Sequence, residues 1–186
     1  MPTFWNWTRF SQGLKMAALV LGLALVLAGC GKNEMGRVAS SPEEEGDLIA
    51  AVKGGVLALD VGLTVGQAFD HYGGFVLKEN KWTLFKTQNQ RDIVQFTGIM
   101  DLNKANLSDA AIDRLDKVEF ITQFGVNKNK TFEVRYMGYA IHPKGGPVKE
   151  YHIKRPQHDN FLKNIFGNYK FPNAVYELLI EKLVLT

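Results

Sequence analysis

Val118-Glu119-Phe120-Ile121-Thr122-Gln123-Phe124-Gly125-Val126 alternates without a break. Val118, Phe120, Thr122, Phe124 and Val126 share one side, and Glu119, Ile121 and Gln123 the other. Period two over nine residues predicts a half-buried strand. Asn127-Lys128-Asn129-Lys130 is a polar turn, and Thr131 to His142 returns, with Phe132, Val134 and Tyr136 expected on one face and Glu133 and Arg135 on the other. Two long alternating runs joined by a short turn make the central hairpin of an antiparallel sheet.

Outward from this hairpin the same period recurs. Lys81 to Thr87 places Trp82 and Leu84 opposite Thr83 and Phe85, and Gln88-Asn89-Gln90 is a turn. Asp92 to Leu102 comes back with Val94, Phe96 and Met100 facing away from Ile93 and Ile99, and Gly98 marks a bulge or bend. After the Pro143 to Pro147 loop, Val148 to Lys154 is a short edge strand. Helical signals flank the strands. Thr64 and Gln67 form a capping box, with Val65, Ala68, Phe69 and Tyr72 on one stripe and Gly73-Gly74 as the stop. Ser108 caps a short helix in which Ile112 and Leu115 face inward. Asp159 caps a helix carrying Leu162, Ile165 and Phe166 up to Gly167, and another helix runs from Pro172. The fold class is therefore α+β: an antiparallel meander of about four to five strands with short helices mainly on one face.

The N-terminal part has a different character. Arg9 and Lys15 precede an apolar or small run from Met16 to Ala28. As a helix those residues span roughly 20 Å, short of the ~30 Å hydrocarbon core, so an export signal fits better than a permanent span. Leu27-Ala28-Gly29-Cys30 resembles the lipobox of bacterial lipoproteins. The resemblance implies cleavage before Cys30, a diacylglycerol on its sulfur and acylation of the new amino group. Gly31 and Lys32, in place of an Asp after the Cys, imply the outer membrane facing the periplasm. The expected organisation is residues 1–29 as signal, 30–47 as acylated Cys30 and flexible tether, and 48–186 as one domain. Gly31 to Asp47, with Ser40-Ser41-Pro42-Glu43-Glu44-Glu45-Gly46, is polar and aperiodic, and Val56-Leu57-Ala58-Leu59 after it suggests a short strand.

Charge narrows the partners. Without Arg9 and Lys15 the chain keeps 20 basic residues against 19 acidic. That balance argues against a nucleic-acid partner, which requires a surplus of phosphate-neutralising charge. Cys30 is the one cysteine, so no disulfide forms within the chain. There is no G-x-S-x-G elbow, H-E-x-x-H pair or phosphate loop, and no catalytic residue, metal or cofactor is assigned.

What remains is a surface cluster. Arg135, Tyr136, Tyr139, Tyr151, His152, Lys154, Arg155 and His158 are the candidate binding residues, because Tyr and Arg are enriched where proteins touch. The leading expectation is a non-enzymatic binding or assembly module. It is held to a membrane by acyl chains on Cys30 and contacts another envelope protein. An inhibitor or immunity protein against a toxin or lytic enzyme is the second reading. A small metal-dependent hydrolase using His152, His158 and Asp159 is the third. Around Thr64-Val65-Gly66-Gln67 and the following meander, the chain is similar to small envelope lipoproteins of BamE-like or β-lactamase-inhibitor-like architecture. That likeness covers about a third of the chain.

Overall fold

The computed structural model describes residues 42–105 and 107–170. The signal, Cys30 and the helix expected from Pro172 lie outside the described residues. Within them, five antiparallel strands form a meander in the order β1-β2-β3-β4-β5. They are β1 (Lys81–Lys86), β2 (Asp92–Ile99), β3 (Leu115–Val126), β4 (Phe132–Pro143) and β5 (Lys149–His152). The helices are α1 (Pro42–Gly54), α2 (Val65–Asp70), α3 (Asp109–Ile112) and α4 (Arg155–Phe166).

The tether expected up to Asp47 is helical from Pro42 onward. Proline with its fixed φ suits a first helical turn, and Glu43, Glu44 and Glu45 there oppose the positive end of the helix dipole. The acidic run thus starts a helix as well as being polar. Val52 of α1 is fully buried, with Leu48 and Ile49 packed against the core. The strand expected at Val56 to Leu59 is a bend instead. Asp60 N returns to Leu57 O, and Asp60 Oδ1 accepts from Gly62 N, curling the chain before it can extend.

The capping box of α2 forms: Gln67 N donates to Thr64 Oγ1 and Thr64 N to Gln67 Oε1. The helix ends at Asp70 with His71 as its C-cap, two residues short of Tyr72, and Gly73 and Gly74 do not take the left-handed conformation. Phe69 of α2 lies at the centre of the core. Its ring meets Trp82, Phe96, Phe124 and Phe166, most closely Phe96 with 4.9 Å between centroids, all edge-on. Edge-to-face geometry sets the positive rim of one ring on the negative face of the next. Trp82 is also fixed from outside, donating to Asp70 Oδ1 at 2.7 Å, with Lys53 Nζ 2.6 Å from Asp70 Oδ2.

Strand β3 buries Val118, Phe120, Thr122, Phe124 and Val126, as its alternation predicts. Its partner β4 does not keep one phase. Gln123 pairs with Tyr136 but Phe124 with Val134, so Arg135 is an extra residue in a β-bulge. Phe132 and Val134 face the core before the bulge, and Met137, Tyr139 and Ile141 after it. Tyr136 therefore points away from Phe132 and Val134, contrary to the simple alternation. No bulge lies at Gly98: the β2 ladder runs through it, and a Cβ there would come within 3.0 Å of the Phe75 ring. A second shift, at Asp116, lets Leu115 open β3 rather than end a helix. α3 is a single turn, and Ser108 makes no side-chain cap bond.

Helix α4 starts at Arg155 with Pro156 in its first turn, four residues before the expected cap at Asp159. Phe161, Leu162, Ile165 and Phe166 are buried. Asn168 with φ 50°, not Gly167, takes the left-handed position after it.

Phe69→Ala should cost about 3–5 kcal/mol in urea unfolding, because one ring anchors four others. Thr64→Ala should cost only about 1 kcal/mol. Thr122 is fully buried and its Oγ1 finds no hydrogen-bond partner. Thr122→Val should therefore raise stability by about 1 kcal/mol, since it removes an unpaired hydroxyl at nearly constant shape.

Candidate functional site

The candidate binding residues divide between the two faces of the sheet. Tyr139 pairs with Phe120 across the ladder and packs on Phe120 and Phe161, at 3% exposure. Burial, above all, pushes its hydroxyl well above the usual phenol range. It is core, not surface, because the Arg135 bulge turned this part of β4 over. Tyr151, opposite Tyr139, is half-buried against the same core. His158 is buried on α4, and its Nε2 lies 2.9 Å from Ile153 O. A carbonyl only accepts, so Nε2 carries the proton and this ring is spent in holding the β5–α4 corner.

The remaining residues gather on the opposite face and at the corner. Tyr136 stacks flat on His152, with centroids 5.0 Å apart and planes 10° from parallel. Gly138, directly across from His152, makes this possible. A Cβ at Gly138 would collide with the Tyr136 ring end and come within 2.6 Å of Tyr151 O. Arg135 lies over Gly125, where an added Cβ would come within 2.8 Å of its Cγ, and pairs with Glu133. Tyr136 is half-buried, with its hydroxyl pKa raised by burial and by Glu150, so it stays a neutral donor and acceptor. His152, Lys154 and Arg155 are exposed. The structure thus joins Arg135, Tyr136 and His152 on one face, with Lys154 and Arg155 following at the start of α4; it buries Tyr139 and His158, the His158 ring lying edge-on 6.5 Å from that of His152.

Beside the Tyr136 stack the same face carries polar ladders. Gln123 Nε2 donates to Gln95 Oε1, and Gln95 Nε2 to Thr97 Oγ1. Lys117 Nζ is 2.6 Å from Glu119 Oε1. His142 Nε2 lies 3.3 Å from the other Glu119 oxygen, near enough for attraction but not aligned as a hydrogen bond. Partial burial alone would raise the Glu119 pKa; the Lys117 hydrogen bond and charge, with His142, outweigh it and hold the carboxyl below its ordinary value.

Sequence reading missed a cleft of roughly 220 Å3 at the end of the core, lined by Tyr72, Met100, Asp101, Lys104, Asn168 and Tyr169 among others. Tyr72 Oη donates to Tyr169 O, Gly73 N to Asn168 Oδ1, and Lys104 Nζ to Gly73 O. Its walls come from three separate loops, which leaves no local signal, and these polar groups are already engaged with one another. Among the described residues no three His, Cys, Asp or Glu side chains converge to hold a metal. His152, His158 and Asp159 do not form such a group.

Comparison with protein families, with curated proteins and with solved structures returns no match for the chain.

A lowered carboxylate pKa gives stability that is present above the unfolded value and lost as pH falls through the folded one. Glu119→Gln should accordingly be less stable than the parent near pH 7, by a few tenths to about 1 kcal/mol given the exposed lysine. The gap should close once pH drops below the carboxylate range, which urea midpoints across pH 3–7 will measure. Lys117, whose pKa is raised chiefly by its hydrogen bond to Glu119, adds its part below its unfolded value and loses it only in strong alkali.

Proposed function

We propose that the chain is a lipid-anchored envelope protein that acts through protein contact, without catalysis, using the Tyr136–His152 surface. The observation that carries this reading is the stack itself. A tyrosine held flat between a glycine and a histidine has its rotamer set before any partner arrives, so little side-chain entropy remains to be lost on binding. Arg135, Lys154 and Arg155 add the cationic groups that accompany aromatic anchors in protein interfaces. The lipobox at Leu27-Ala28-Gly29-Cys30 supports the anchor. Two or three acyl chains on Cys30 would hold the domain durably, with no need for a spanning helix. No helix among the described residues is long and apolar enough to cross a membrane. Gly31 and Lys32 favour the outer membrane, facing the periplasm.

Two variants test the reading together. Labelled palmitate should be incorporated by the parent and not by Cys30→Ala, with the variant found in the soluble fraction. In crosslinked pull-downs of the full chain, Tyr136→Ala should reduce the dominant partner about tenfold or more, the cost expected for an aromatic anchor. Its melting point should stay within a few degrees of the parent's. A partner captured equally well by Tyr136→Ala would rule out the stack as the contact, and palmitate on Cys30→Ala would rule out the anchor.

A further inference from the structure

The two edges of the sheet are not equivalent. Thr87 N donates to Arg91 O at 2.9 Å, and this bond sets the phase of the β1–β2 ladder. Residues in an antiparallel pair alternate between facing the neighbour and facing away. Lys81, Thr83 and Phe85 therefore turn their backbone groups toward β2, while Trp82, Leu84 and Lys86 turn theirs outward. Two bonds elsewhere fix β2 in the same phase: Val76 N to Ile99 O on the β1 side, and Met100 N to Val118 O on the β3 side. Among the described residues no backbone group completes the outward row of β1.

At the other edge, Ile153 N donates to Met137 O, which leaves only Glu150 and His152 of the four-residue β5 turned outward. Short, charged edge strands are how proteins discourage pairing there. β1 is longer, with Trp82, Leu84 and Phe85 at its centre. A lysine stands at each end of it. Lys53 and Lys86 are matched by Asp70, Asp92 and Glu44, but Lys81 is exposed and makes no ion pair within the described residues. Leu77, just before the strand, is 50% exposed.

We propose that the outer edge of β1 is a strand-addition site for an extended, acidic segment of a partner protein. Three outward N–H groups and three outward C=O groups require a polypeptide, since main-chain pairing supplies the affinity in this mode. Lys81, exposed and without an ion pair among the described residues, favours an acidic residue beside it. A second copy would bring its own Lys81 to the seam in place of a carboxylate, which disfavours self-pairing. This edge is at the far side of the sheet from the Tyr136 stack, so the inference extends the protein-contact reading to a second surface of a different kind.

The test places a photocrosslinking amino acid at Thr83 in the full chain, in its host cells, with Glu150 and Lys163 as comparison positions. The crosslinked segment is identified by mass spectrometry and synthesised as the probe. Adding that peptide to the purified protein should slow amide exchange at Trp82, Leu84 and Lys86 by about tenfold or more. Thr83 and Phe85, already bonded to β2, should change little. Lys81→Glu should weaken binding several-fold. Leu84→Pro should abolish it, because it deletes an outward N–H and no ladder bond; if that variant fails to fold, Lys81→Glu and the exchange pattern still decide. A crosslink from Thr83 to a second copy overturns the proposal in favour of a dimer. An adduct at Glu150 but not at Thr83 overturns the edge and leaves the protein-contact reading standing. No adduct at any position overturns both. A bound peptide that protects none of Trp82, Leu84 and Lys86 rules out strand addition.

Discussion

The edge-to-face contact of Phe69 with four rings is the interaction on which the rest depends. α2 is only six residues long, too short to be stable alone, yet it supplies the ring that joins β1, β2, β3 and α4. The capping box sets the start of the helix, so the position of Phe69 follows from Thr64 and Gln67. The Asp70 carboxylate, one residue on, receives the Trp82 indole and the Lys53 ammonium and so ties α1 to the same centre. A capped turn therefore organises a core assembled from residues more than a hundred positions apart.

The bulge at Arg135 is the second constraint, and it bears directly on the proposed contact face. One additional residue in β4 exchanges inside and outside for everything beyond it. Met137, Tyr139 and Ile141 enter the core, and Tyr136 is left on the opposite face above Gly138. Without the bulge Tyr136 would point inward with Val134, and the stack on His152 would not exist. The proposed contact surface is thus a by-product of how the longest hairpin resolves its register.

Much of the fold was legible because its signals are local. The alternation of Val118 to Val126 depends on nothing outside the strand, and neither do the turns at Gln88 to Gln90 and Asn127 to Lys130. Gln90 and Lys130 take the left-handed conformation that closes those turns. Pro42 with its three glutamates was equally local evidence for a helix, although the polar composition pointed to a tether. The candidate site was less legible. Tyr136 and His152 do meet, with Arg135 on the same face, but Tyr139 and His158, named with them on proximity and residue type, are buried.

By itself, the sequence determined the strands of the meander, the α+β class and the capped turn that carries Phe69. Each of these rests on periods and hydrogen bonds within a few residues. Only the tertiary structure decided which side of β4 faces the core, that Gly98 makes room for Phe75 rather than a bulge, and which tyrosine reaches the surface. Those outcomes depend on register between strands and on close approach of distant rings. The free energies that set them belong to pairs of residues that no local window contains.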